Sequence, residues 1–203
     1  MTFTVPETVG TTGSPARHLP AGCSVRRAAP GDAEHVATLL RADDRLEMEA
    51  LEGRPALDVL QGWMSGGSHV LVVRGDAVAI FGIVACAVPG GAACADASAD
   101  PGASFPAEHR AATPWAAMVS TLGGEDLVDV MWLSRFQIDA WQRRWPVLQT
   151  VCDARNRFRG QWLDWLGFER RGRLACFGAA GRPFDLHVRL RAMAQAPLPC
   201  RTQ

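Results

Sequence analysis

The stretch that most constrains this chain runs from Ala77 to Val88. It is an almost unbroken apolar run that follows Gly75-Asp76, which in turn follows His69-Val70-Leu71-Val72-Val73-Arg74. Two apolar runs separated by Gly-Asp predict a β-hairpin with a two-residue turn. The second strand lacks polar alternation, so it is expected to be buried on both faces. Such a strand needs a layer of helices above and below it, which points to a layered α/β domain.

The rest of the chain supplies those layers. Cys23 to Ala28 reads as a short strand, and Pro30-Gly31-Asp32 punctuates and starts a helix. Val36, Leu39 and Leu40 share one helical face, which Leu46 and Leu51 extend after a break. A second helix is expected over 55–65, carrying Leu57, Leu60, Trp63 and Met64. Trp115–Thr121 reads as a strand. A long helix follows over 125–145, with Leu127, Val130, Met131, Ser134, Ile138, Trp141 and Trp145 along one stripe. Pro146 ends it. Val147–Cys152 is a strand, 155–166 a helix closed by Gly167, and 168–177 and 184–190 the last strands, joined through Gly178-Ala179-Ala180-Gly181. The expected order is β-α-α-β-β-β-α-β-α-β-β, a mixed α/β sheet, antiparallel in the first half and parallel with crossover helices in the second.

With 203 residues there is room for one domain of ordinary size. The expected boundaries are a tail at 1–22, a domain at 23–190 with an inserted Pro/Gly/Ala-rich loop at 89–112, and a second tail at 191–203. Acidic and basic residues balance at 21 each, so net charge argues for neither nucleic acid nor membrane. All the basic residues are Arg, and Tyr is absent, which excludes a lysine Schiff base, a Walker lysine and a tyrosine acid. The six cysteines form no CxxC pair, so no zinc site is expected. No signal sequence or membrane-spanning run is apparent, and a soluble chain folded in a cytoplasm is expected.

The segment Asp153-Ala154-Arg155-Asn156-Arg157-Phe158-Arg159-Gly160-Gln161-Trp162-Leu163-Asp164-Trp165-Leu166-Gly167-Phe168 resembles the penultimate strand-helix-strand of the GNAT acyltransferase fold. Asn156 at its helix start can cap the helix or bond a cofactor arm, Gly167 ends the helix, and Phe168 opens the next strand. An ordered series extends the resemblance over about 23–190: Ala79-Ile80-Phe81-Gly82-Ile83-Val84, Thr113-Pro114-Trp115, the Trp-rich helix, the segment above and Pro183-Phe184. It looks like the internal virion proteins of short-tailed phages, which have a GNAT-like fold.

What the resemblance implies about activity is less favourable. A GNAT enzyme cradles a pyrophosphate where its fourth strand enters its third helix. Here that junction reads Ser120-Thr121-Leu122-Gly123-Gly124-Glu125-Asp126, with the glycines off the usual spacing and two carboxylates at the helix start. Leu163 stands where many such enzymes place a tyrosine acid; Cys152 and Cys176 could act instead but read as core thiols. Candidate bases are Glu108, His109 and Asp129. The resemblance therefore implies a degenerate, non-catalytic fold with no cofactor, serving as a virion structural or assembly protein, internal or tail-associated, in the particle and in host cytoplasm during assembly. Its partners would be other virion proteins or further copies of itself. The alternative is an active N-acetyltransferase in which acetyl-CoA lies between diverging strands at 115–121 and 147–152, touching Gly123, Gly124 and Asn156. Trp63, Trp115 and Trp132 are candidates for a protein interface. Acids crowd residues 30–60 and arginines crowd 155–191, as though they meet across a subunit boundary. Arg155, Arg157 and Arg159 offer an anion or nucleic-acid contact.

Overall fold

The computed structural model describes residues 19–20, 22–87 and 110–191. The elements are β1 (Cys23–Arg27), α1 (Pro30–Leu39), α2 (Ala42–Glu52), α3 (Ala56–Met64), β2 (Ser68–Val73), β3 (Asp76–Ala87), β4 (Arg110–Met118), α4 (Gly124–Arg144), β5 (Val147–Asp153), α5 (Arg157–Trp165), β6 (Glu169–Phe177) and β7 (Arg182–Leu190). They form one seven-stranded sheet in the order β1-β2-β3-β4-β5-β7-β6. The fold is thus the mixed α/β sheet expected.

Two differences from the expected order have local causes. Three helices, not two, separate β1 from β2. Leu40 leaves the helical path (φ −53°, ψ 143°) to bridge Val119 beyond β4, and Gly53 ends α2 in the left-handed region (φ 71°). In the second half, only β4 and β5 pair in parallel; β5–β7 and β7–β6 are antiparallel. The β6–β7 hairpin inserts β7 beside β5, so β5 and β6 run parallel without being neighbours.

β4 begins at Arg110, so the expected loop at 89–112 gives up its last residues to the sheet; 88–109 lie outside the described residues. Ala111 and Ala112 are weak strand formers, yet both are 0% exposed and hold the contact with β5. Their small side chains fit a central strand covered on both faces, and burial overrides propensity.

The buried residues form two clusters. The larger draws on both faces of the sheet: Ile80, Gly82 and Trp115 meet α1 and α3, with Trp63 and Trp115 rings 5.3 Å apart, and Val130 of α4 belongs to the same cluster. Trp115 is 7% exposed, so it is a core residue and not the interface residue expected. In the second cluster Ala112, Ile138, Leu148, Cys152, Leu163, Leu166 and Phe168 pack under α4 and α5. Trp141, Trp145, Trp162 and Trp165 flank this second core, as their helical spacing predicts. Trp132 is half-exposed and packs its ring edge-on against Trp165 at 5.5 Å. Cys176 is exposed, against the expectation of a core thiol, because edge strand β6 is open along most of its length.

Candidate functional site: an opening between two central strands

β4 and β5 pair only at Ala111–Val147 and Ala112–Leu148, then part. The sequence contains the reason. Val119 N–H donates to Val78 C=O (3.0 Å), and in the β3–β4 register this sets the N–H groups of odd-numbered β4 residues toward β3. Even-numbered residues face β5. The first even position beyond Ala112 is Pro114, which has no N–H to give. The ladder stops there, and the backbone groups of Ala116 face the gap without a strand partner among the described residues. At the apex, Gln149 Nε2 donates to Cys86 Sγ (3.3 Å), which touches Thr113 Oγ1 (3.5 Å).

Where β4 gives way to α4, Gly123 is the N-cap (φ −151°) and Gly124 is left-handed (φ 56°). A Cβ on either would meet nothing within 4 Å, so the backbone here lies open to a ligand. It sits at the N-terminus of a 21-residue helix, whose free N–H groups favour an anion. The expected obstacle was the pair Glu125 and Asp126. Asp126 is in fact ion-paired with Arg74 from the β2–β3 turn (3.0 Å), which removes part of that repulsion and brings a guanidinium to the helix start. Glycines, helix end and guanidinium together fit a pyrophosphate.

The far side of the opening is spanned by α2. Its last turn is satisfied by the β6–β7 turn: Ala180 N–H donates to Ala50 C=O and Ala179 N–H to Leu51 C=O, both at 3.0 Å. Asp44 and Glu47 point from α2 into a buried cluster with Cys152, Asn156 and Arg159. Asn156 is 4% exposed and makes three bonds. Its Oδ1 accepts from Arg159 N–H (3.2 Å), and its Nδ2 donates to Asp44 Oδ1 (3.0 Å) and Glu47 Oε2 (2.9 Å). Of the two roles open to it, the structure shows the cap. Glu47 also faces Arg159 Nε at 3.4 Å. Burial pushes the Glu47 carboxyl above its ordinary value, although Arg159 and Asn156 oppose the shift. Burial and the neighbouring Glu47 push the Cys152 thiol far up, so it stays protonated.

The other sequence candidates scatter. Asp129 stands one turn along α4, beside the Asp126–Arg74 pair; burial, then Asp129 and Asp126, push up the Cys23 thiol of edge strand β1. Glu108 and His109 lie outside the described residues. Arg155 forks onto Asp153 (3.0 and 2.7 Å) and Arg159 turns inward to Glu47, so Arg155, Arg157 and Arg159 do not share one cationic face. The acidic and basic segments meet within the chain, through Glu47 and Arg159, and no second subunit is needed for it. Sequence reasoning passed over Asp44, Glu47 and Arg74. A signal for the first two existed: Asp44, Glu47 and Met48 occupy the buried stripe of α2, where carboxylates are out of place.

The fold matches solved acetyltransferases. A putative acetyltransferase from Salmonella typhimurium, solved with its cofactor acetyl-CoA, superposes with a TM-score of 0.56 at 15% identity, covering 88% of this chain and 99% of that one. Spermidine N-acetyltransferase from Vibrio cholerae, in complex with CoA and spermine, gives 0.55 at 13% identity, covering 83% and 95%. Ribosomal-protein-S5-alanine acetyltransferase from Vibrio fischeri gives 0.53 at 14%, covering 83% and 93%. Identities this low establish the fold alone: a GNAT-like acetyltransferase fold over the length of those chains. No family model and no curated protein matches the sequence. Nothing in these likenesses supports the virion-protein resemblance.

Proposed function

We propose that this chain is an acyl-CoA-dependent N-acyltransferase. The observation that carries the reading is the parting of β4 and β5 after Ala112, which leaves β4 backbone groups facing a gap that ends at the open Gly123-Gly124 helix start. Acetyl-CoA, when bound, supplies an activated thioester to an amine. Ala116 offers its backbone N–H and C=O to the amides of the cofactor arm. Gly123, Gly124 and Arg74 hold the pyrophosphate. Glu47, whose raised pKa makes it a stronger base than an ordinary carboxylate, takes the proton from the incoming amine. Cys152, pushed far up by burial, is too weak an acid to stand in for the missing tyrosine, so the leaving thiolate would take its proton from water. Asn156 acts through Glu47, as a positioning residue.

The test is calorimetric titration of the protein with acetyl-CoA. Micromolar binding is expected, weakened at least tenfold in Gly123→Glu. That variant keeps the fold, because Gly123 has an ordinary φ and open space around it, but it adds a carboxylate at the anion site. Absence of heat at millimolar acetyl-CoA would remove the reading.

A virion scaffold without cofactor, present in the particle and in host cytoplasm during assembly, is the competing proposal. It is favoured by one feature, the exposed stripe of Val128, Trp132 and Phe136 along α4, at a spacing suited to a partner. Absence of the protein from purified particles removes it.

A further inference from the structure

α4 turns Val130, Ile138 and Gln142 into the molecule and leaves Val128, Trp132 and Phe136 open, at 52%, 50% and 39% exposed. Two aromatic rings one turn apart, their centres separated by 6.4 Å, are costly to keep in water. Apolar side chains alone do not say what covers them. The charges at the two ends of the stripe do.

Glu125, Trp132, Phe136 and Arg143 are seven, four and seven positions apart. At about 100° of turn per residue, all four lie within about 20° of one line along the helix. The line runs acid, aromatic, aromatic, base, and its spacing is palindromic about the level of Ser134. Glu125 lies in the first turn of α4 and Arg143 in the last. Both are exposed, and neither side chain forms an ion pair among the described residues. A second copy laid antiparallel across this face presents the same line reversed. Trp132 then meets the partner's Phe136, Glu125 meets the partner's Arg143, and the two-fold axis repeats both contacts. A parallel copy would instead set acid against acid and base against base. Contact along the whole line, about 27 Å, needs a shallow crossing of about 20°, which helices with apolar residues at threes and fours adopt. Asp129 falls opposite the partner's Asp139, but each Asp139 is already paired with Arg189 of its own β7, so no two bare carboxylates meet. The pairing uses no cofactor and no group of the buried Glu47 cluster, so it does not rest on the acyl-transfer reading.

We propose that the outer face of α4 is a self-association surface, on which two copies of this chain form a two-fold dimer by antiparallel packing of the helix. Sedimentation of the full chain over a range of concentrations tests it. A reversible monomer–dimer equilibrium is expected, with a dissociation constant on the order of 10–100 µM, because one helix face is smaller than a standard interface. Val128→Glu, at a half-exposed site, should weaken dimerisation at least tenfold while the urea midpoint of the chain stays close to that of the parent. Glu125→Arg and Arg143→Glu should each weaken it about tenfold, since each sets like charges together at both ends. The double reversal should restore it. Mixed together, the two single variants should pair with each other in preference to themselves. A chain that stays monomeric at millimolar concentration, a dimer indifferent to Val128→Glu, or single reversals that the double variant does not rescue would each overturn the proposal.

Discussion

Asn156 is the single asparagine of the chain, and it is used on all sides. An asparagine offers one acceptor and two donors on adjacent atoms, so it can cap α5 with its oxygen while its nitrogen holds two carboxylates of α2. Aspartate would cap as well but would repel Asp44 and Glu47; serine is too short to reach them. Asn156→Ala removes the cap, takes the donor from Asp44 Oδ1 and leaves the buried Glu47 carboxylate with only Arg159 and the Cys152 thiol. We expect a loss of about 2–4 kcal/mol in urea unfolding, well beyond that of a cap alone. A loss under about 1 kcal/mol would mean that α2 is not held through this residue.

At the scale of elements, two close approaches of glycine decide how pieces dock. A Cβ on Gly82 would lie 2.8 Å from the Trp115 ring, which is wedged between β3 and α3. Gly82→Ala is expected to destabilise by about 1–3 kcal/mol through overpacking, whereas Gly82→Ala combined with Trp115→Phe should recover much of it. Gly178 is left-handed (φ 65°), and a Cβ there would meet Ala50 C=O at 2.7 Å. Gly178→Ala should therefore detach the β6–β7 turn from the end of α2. Amide exchange is expected to rise at Ala179 and Ala180 while the β5–β7 ladder stays protected; unchanged exchange would sink the idea.

For the whole molecule the expectation concerns pH. Burial lowers the pKa of His69 and His187 below 6.5, so between that lowered value and 6.5 the unfolded chain binds more protons than the folded one. Their contribution is present above pH 6.5 and is lost as pH falls through that window. Asp32, Asp153 and Asp185 are lowered by Arg26, Arg155 and Arg173, and their contribution is lost as pH falls below about 3.8. Glu47, raised by burial, has the opposite sign and offsets part of the loss on the way to its ordinary 4.5. Urea midpoints should thus decline from pH 7 to 5. His69→Phe, which keeps a ring against Phe81, should flatten that segment. An unchanged slope would rule out His69 as a source.

The sequence by itself determined the elements and the layered architecture. Hydrophobic period, Pro146 and the Leu-Gly-Phe helix end are local signals, and each acts on residues within a few positions of itself; the hairpin expected at Gly75-Asp76 turns one residue earlier, at Arg74-Gly75, where both φ are positive (53° and 96°) and Asp76 already pairs with Val73. Pro114 was also local, and it fixes where β4 stops pairing. Only the tertiary structure decided which polar groups meet. Glu47 reaches Arg159, Asn156 reaches Asp44, and Arg74 reaches Asp126 across long stretches of chain, and no period in the sequence encodes such distances. The same holds for Ala111 and Ala112, whose composition reads as loop until neighbours on both sides bury them. Local preferences of a few tenths of a kcal/mol yield to burial worth several times more once the sheet closes around them.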